Sequence, residues 1–172
     1  MDRYAAESLT IMRSIREPFE LADMEPVDVT DCLAEALNGF TIEPGIIVVE
    51  RYQPDLPPVM ASPENLCEAL NHIIDNALEA MGGKGQLWLS TRRRLDGLVE
   101  VVIADDGPGI PTVHQTHLFQ RGFTTKPDQG GLGLWWTRVY VSQLGGQMKL
   151  HSTPGQGTVV SIRLPAVQEA PS

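Results

Sequence analysis

Apolar positions along this chain alternate between a helical and an extended period, and the switches outline the fold. Residues 1–17 read as a helix, with Leu9, Met12, Ile15 and Phe19 spaced by three or four. Pro18 ends it, because the residue before a proline is pushed out of the α region. A stripe this short cannot bury itself and needs a partner. After the Glu25-Pro26 break a second helix is expected over 29–37, stopped by Asn38-Gly39. The β-branched run 46–52 reads as a strand, and Asp55 to Pro58 as a short proline-rich connection. Ser62-Pro63-Glu64 opens a long helix: serine suits the N-cap, proline the first helical position and glutamate the positive end of the dipole. Its apolar face runs Leu66, Leu70, Ile73, Ala77 and Met81, and Gly82-Gly83 terminates it.

Strands follow over 86–91 and 98–104, joined through Asp96-Gly97, a strong hairpin signal. Residues 111–131 are polar and glycine-punctuated, with one short helical piece over 112–119. A helix over 132–144 is closed by Gly145-Gly146, and segments 148–152 and 158–164 form a last hairpin. Strands mixed with helices, and two antiparallel hairpins, predict an α/β fold. The expected form is a two-layer α/β sandwich with a mixed, mostly antiparallel sheet covered on one face by helices. No internal repeat is present, and no low-complexity tract beyond the terminal Gln168 to Ser172.

Composition narrows the function. A chain of 172 residues is long enough for one domain with a proper core, and its 42% hydrophobic and 20% charged content is that of a globular protein. A net charge of -9 argues against nucleic acid as a partner, which demands a basic surface. It leaves room for a nucleotide in a locally positive pocket. No run approaches the ~18 apolar residues of a membrane span, and no signal-peptide pattern opens the chain. A cytoplasmic domain with no direct membrane contact is expected. Cys32 and Cys67 lie on apolar helical patterns and read as buried free thiols.

Three stretches carry candidate chemistry. On the long helix His72 and Asn76 are four residues apart, on one face, with Glu79 beside them. An asparagine amide oxygen is a neutral hard ligand suited to magnesium, although both residues read equally as rim side chains bonded to backbone. The strand 99–104 runs apolar into Asp105, followed by Asp106-Gly107-Pro108-Gly109. A carboxylate there could accept an amine, with glycines admitting a ring close to the backbone; aspartates are also simply common in turns. Gly130-Gly131-Leu132-Gly133-Leu134 opens a helix, where free N–H groups favour phosphate. It fits neither the Walker A loop nor the dinucleotide fingerprint.

In this order, with Phe119, Phe123, Thr124, Thr125 and Lys126 between the last two, the three stretches resemble the ATP-binding catalytic domain of sensor histidine kinases. That family shares the Bergerat ATP-binding fold with DNA gyrase, heat-shock chaperones and mismatch-repair ATPases. The resemblance implies an ATP-binding catalytic domain over 26–165, preceded by the tail of a dimerisation helix and connector over 1–25 and followed by a tail over 166–172. It implies ATP and Mg2+ as ligands. Asn76 would bind the metal and, with Lys126, serve catalysis; Asp105 would accept the adenine amine; Gly107, Gly109 and Ile110 would shape the adenine slot, with Thr158 behind the base. Lys126 and the backbone of Gly130, Gly131, Leu132 and Gly133 would face the phosphates. His72, Glu79, Ala80, Thr124, Thr125 and Leu134 complete the implied nucleotide shell, and residues 111–131 would be the ATP lid.

The same resemblance implies a histidine-bearing dimerisation domain and a response-regulator receiver domain as partners. Several positions depart from its pattern. Gln129 replaces a usual glycine, Gly122 a usual phenylalanine, and Trp135 and Trp136 stand where smaller residues are common. His72 stands where gyrase-type relatives have the glutamate that activates water. The four histidines, His72, His114, His117 and His151, all fall inside the nucleotide-binding part, so none resembles the family's phosphoacceptor. A regulatory nucleotide-binding module without transfer, a self-contained ATPase of the same superfamily, and a ligand-free α/β protein remain the competing readings.

Overall fold

The computed structural model describes residues 23–124 and 131–167. The expected N-terminal helix lies outside them. Described elements run β1 (Glu25–Val27), α1 (Val29–Asn38), β2 (Gly45–Tyr52), β3 (Val59–Ala61), α2 (Pro63–Met81), β4 (Lys84–Arg93), β5 (Leu98–Asp105), α3 (Thr112–Gln115), α4 (Gly133–Gln143), β6 (Gln147–Thr153) and β7 (Gly157–Pro165). Five strands form one sheet in the order β2-β4-β5-β7-β6. β2 pairs parallel with β4, and every other neighbour is antiparallel. The helices cover one face of it, so the two-layer sandwich with a mixed sheet is what the chain adopts.

Period-2 alternation explains the layering. Leu87 and Leu89 of β4, Val99, Val101 and Ile103 of β5, and Val160, Ile162 and Leu164 of β7 are all buried. They meet Leu66, Ala69, Leu70, Ile73, Ile74, Ala77 and Met81 of α2, the expected stripe widened by Ala69 and Ile74. Ser62 caps α2, its Oγ accepting the Asn65 N–H at 3.4 Å, with Pro63 inside the first turn and Gly82 closing the other end. α4 is tied to that start by Tyr140, whose hydroxyl accepts the Ser62 N–H (3.1 Å) and donates to the Ser62 carbonyl (3.3 Å).

Three details differ from expectation. The Glu25-Pro26 break is strand β1, which pairs antiparallel with β3 in a second, two-stranded sheet. Glu25, placed in the connector by the sequence, therefore belongs to the folded unit, because Ala61 supplies its pairing partner. Ala166 and Val167, expected in the tail, are tied to the strand β3 region: Ala166 bridges Val59 and the Val167 N–H donates to the Pro58 carbonyl at 2.8 Å. The helical piece over 112–119 shortens to Thr112–Gln115 and continues as turns. Both cysteines are free, Cys32 buried and Cys67 only partly so.

One outward-facing residue breaks the alternation. Glu100 on β5 is 2% exposed, covered by Arg92 and Arg94 from the preceding hairpin arm and by Arg163 of β7. Its carboxylate accepts from Arg92 Nε at 2.6 Å, Arg163 Nε at 2.7 Å and Arg94 at 3.2 Å. Burial alone would raise this carboxyl, but the bonds from Arg163 and Arg92 outweigh it and hold the group below the usual carboxylate range. Its stabilisation is therefore full above the ordinary carboxylate range and fades as pH falls through the lowered folded value. Glu100→Ala should cost about 2–3 kcal/mol at pH 7, read as a lower urea midpoint at unchanged slope, and the deficit should shrink in acid.

Candidate functional site

The end of β5 builds the first half of the site. Asp105 is buried (7% exposed) yet keeps its carboxylate satisfied: Oδ1 accepts the Gly107 N–H at 2.9 Å, and the Thr158 backbone N–H bonds it from β7. Burial raises this carboxyl above its usual value, the two N–H donors pull it back, and Asp106 beside it pushes it up again. A carboxylate offers about four acceptor positions, so two bonds leave acceptor capacity for a ligand donor.

Glycines are required around it by space. A Cβ on Gly107 would lie 2.8 Å from the Asp105 carboxylate and 3.3 Å from the Ala80 backbone, so the turn after β5 rests on the last turn of α2. Gly157, at φ 99°, lies against the Asp105 carbonyl with no room for any side chain. Gly109 packs on the Thr153 carbonyl, and the Gly155 N–H donates to the Pro108 carbonyl at 2.7 Å. The Ile110 N–H reaches Ser152 Oγ at 2.8 Å, and Ser152 Oγ lies 2.9 Å from Thr158 Oγ1. Ala80, Asp105, Gly107, Gly109, Ile110 and Thr158 thus come together in one slot.

The second half lies one end of α2 away. His72 packs against the start of α4: a Cβ on Gly133 would sit 3.3 Å from its ring, which meets Trp136 edge-on at 5.5 Å. His72 Nδ1 lies 3.4 Å from Thr137 Oγ1. Trp136 stacks in turn on Tyr140, which gives the unexpected tryptophan its place as the plate between histidine and tyrosine. Leu132 precedes α4, and Leu134 is partly buried in its first turn. Asn76 sits midway on the His72–Ala80 line, half-buried, with Glu79 beside it. From His72 to Ala80 the axis rises about 12 Å, so one helix face joins the carboxylate slot to the glycine-led helix start.

Between the two halves runs the polar segment. Phe123 lies 5.8 Å from the His114 ring and 5.7 Å from that of His117. The Arg138 guanidinium stands 4.6 Å over Phe119, and that of Arg121 stands 5.4 Å over Trp135. The Gly122 N–H donates to the Gly131 carbonyl at 3.2 Å, and its φ of 80° would strain the phenylalanine usual at that position. Thr124 is half-buried. Thr125, Lys126, Gly130 and the unusual Gln129 lie outside the described residues. Sequence reasoning missed Ser152 and Gln115, which bind the slot together; a serine two residues before Pro154 carried no signal of its own.

A purine and its phosphates fit this arrangement: a desolvated acceptor beside a glycine wall at one end, and the N–H groups of a helix start at the other. Among the described residues no group of three or more His, Cys, Asp or Glu could hold a metal. A divalent ion here would take one amide oxygen from Asn76 and its other ligands from phosphate and water, which suits magnesium.

Burial lowers the His72 imidazole to about 4, so it is neutral at physiological pH. A histidine depressed below its unfolded value stabilises the fold above about pH 6.5 and loses that contribution as pH falls toward 4. The expected loss for wild type is on the order of 3 kcal/mol over that window. His72→Gln should flatten this part of a stability-against-pH curve measured by urea unfolding.

Residues 61–168 match the family model described as histidine kinase-, DNA gyrase B-, and HSP90-like ATPase. The adaptive-response sensory kinase SasA of Crocosphaera subtropica is 32% identical over 137 residues, covering 77% of this chain and 36% of that protein. The sensory histidine kinase/phosphatase NtrB of Rhodobacter capsulatus is 31% identical over 157 residues, 83% of this chain and 44% of its own length. The chain thus spans less than half the length of these relatives. The solved mycobacterial sensor histidine kinase MprB has a TM-score of 0.72 at 27% identity, covering 83% of this chain and 97% of that one. Since the matched span takes in the whole site from α2 to β7, the chain belongs to the histidine kinase-, DNA gyrase B- and HSP90-like ATPase family, as an ATP-binding domain of the sensor histidine kinase kind.

Proposed function

We propose that this domain binds ATP with magnesium and passes the γ-phosphoryl group to a histidine of a dimerisation domain, supplied in cis or in trans. A response-regulator receiver domain is the downstream acceptor. The observation that carries the reading is the single face of α2 that meets Gly107 at Ala80 and Gly133 at His72. It offers one continuous wall for a base, a ribose and a polyphosphate.

In this reading Asp105 takes the adenine amine, and Gly107, Gly109 and Ile110 line the base. Asn76 would hold the metal, which would supply charge neutralisation at the phosphates. Lys126, with Thr124, Thr125 and the N–H groups of Gly130 to Leu134, orients the phosphates. Phosphoryl transfer asks chiefly for such positioning and charge stabilisation. The γ-phosphorus leaves the β–γ bridging oxygen, which departs with ADP, and bonds to an imidazole nitrogen of the acceptor.

His72 and the other three histidines support an external acceptor. His72 is engaged by α4, His114 and His117 flank Phe123, and none of the four is followed by an acidic residue. A neutral imidazole titrating near 4 is a poor base for activating water, which weighs against a self-contained ATPase.

Two measurements test this. Asp105→Asn should weaken ATP binding about 10- to 100-fold in a calorimetric titration, the value of a charge-assisted hydrogen bond. Its urea midpoint should hold or rise, because a carboxyl raised by burial costs stability in its charged form at neutral pH. An unchanged ATP affinity would remove the adenine contact. Incubation of the chain with γ-labelled ATP, magnesium and a purified histidine-bearing dimerisation domain should give acid-labile label on that domain. Intact ATP binding with no label would leave a nucleotide-controlled module instead.

A further inference from the structure

The slot is floored by three polar side chains in register across neighbouring strands: Asp105 of β5 faces Thr158 of β7, which faces Ser152 of β6. Directly opposed residues share a sheet face, so all three stand on the side that Asp105 buries under the helices. Ser152 Oγ makes three contacts: the Ile110 N–H at 2.8 Å, the Gly157 carbonyl at 3.0 Å and Thr158 Oγ1 at 2.9 Å. A hydroxyl has one proton and two lone pairs. The Ile110 N–H only donates and the Gly157 carbonyl only accepts. All three contacts therefore coexist in one arrangement: Ser152 gives its proton to Gly157, and Thr158 gives its proton to Ser152. Thr158 then shows a ligand nothing but lone pairs. The Asp105 carboxylate next to it is acceptor-only as well.

We propose that Ser152 is a positioning residue that sets base specificity: by claiming the Thr158 proton it makes the Asp105–Thr158 floor a surface of acceptors, which receives the 6-amine of adenine and rejects the 6-carbonyl oxygen of guanine. The inference rests on the reading that Asp105 receives the base. Gln115 holds the relay in place, its Nε2 donating to the carbonyls of Ile110 (2.8 Å) and Ser152 (3.0 Å). The first turn of the polar segment and the β6 backbone are thereby clamped on either side of the Ser152 hydroxyl. Without that hydroxyl the Thr158 proton is released, and Thr158 becomes a donor able to meet the keto oxygen of guanine.

The test is titration of the full chain with ATP and with GTP, in magnesium, for wild type, Ser152→Ala, Thr158→Val and the double variant. Ser152→Ala should lower the ATP-over-GTP preference about three- to tenfold, the span of one neutral hydrogen bond. In the Thr158→Val background, which keeps the side-chain shape but has no proton to direct, the same substitution should leave the preference unchanged within about twofold. Equal weakening of both nucleotides by Ser152→Ala, or an equal change of preference with and without Thr158, overturns the proposal, since either marks a purely structural serine. Should Ser152→Ala unfold in the urea control, Ser152→Cys gives the same comparison through its weak hydrogen-bonding sulfur. A wild-type chain that binds neither nucleotide overturns the ATP reading itself, which is a separate outcome from binding without discrimination.

Discussion

A carboxylate at the inner end of a buried strand is costly to keep charged, and the site is organised around meeting that cost. Among the described residues Asp105 is compensated by backbone N–H groups, one from its own turn at Gly107 and one from Thr158 across the sheet. Each donor approaches because a glycine leaves room, Gly107 being the first donor itself and Gly157 standing beside the second. Gly107 lets the turn fold back against Ala80, and Gly157 lets β7 lie on the Asp105 carbonyl. The carboxylate thereby fixes the turn after β5, the last turn of α2 and the β6–β7 hairpin relative to one another.

The opposite end is fixed by rings. Ser62 is bonded both ways by Tyr140, Tyr140 stacks on Trp136, and Trp136 meets His72 edge-on. That ladder runs up α2 from its cap to the middle of its polar face and sets where α4 begins. A charged imidazole in it would have to be desolvated, so the packing that positions Gly133 also keeps His72 neutral. Placement of the helix start and weakness of the nearby base have one cause.

Much of this was legible in the residues. Among the described residues every long element appears where periodicity put it, and the Ser62-Pro63 cap, the Gly82 stop and the Asp96-Gly97 turn all act as their chemistry dictates. The ordered spacing of Asn76, Asp105 and Gly131 to Gly133 is what makes the chain resemble its family. What stayed hidden depends on partners distant in sequence. β1 and β3 are three residues each and exist only by pairing with one another, and Pro26 disguises the first. Glu100 alternates with Val99 and Val101 and so reads as solvent-facing; Arg163, 63 positions away, helps bury it. Ser152 and Gln115 carry no sequence sign of their role, because it is to satisfy backbone groups that only the folded turn brings near.

The parallel pairing of β2 with β4 has a topological consequence. The two hairpins close over residues 94–97 and 154–156, whereas the β2–β4 ladder must wait for residues 53–83 to be laid down between its strands. Contacts of long sequence separation form late in assembly and set its pace. The bulk of that crossover is α2 itself, the helix that joins the carboxylate slot to the start of α4. A ligand bridging those two ends would therefore brace one of the long-range closures of the domain, and through mass action its concentration would govern how often the β2 edge comes undone.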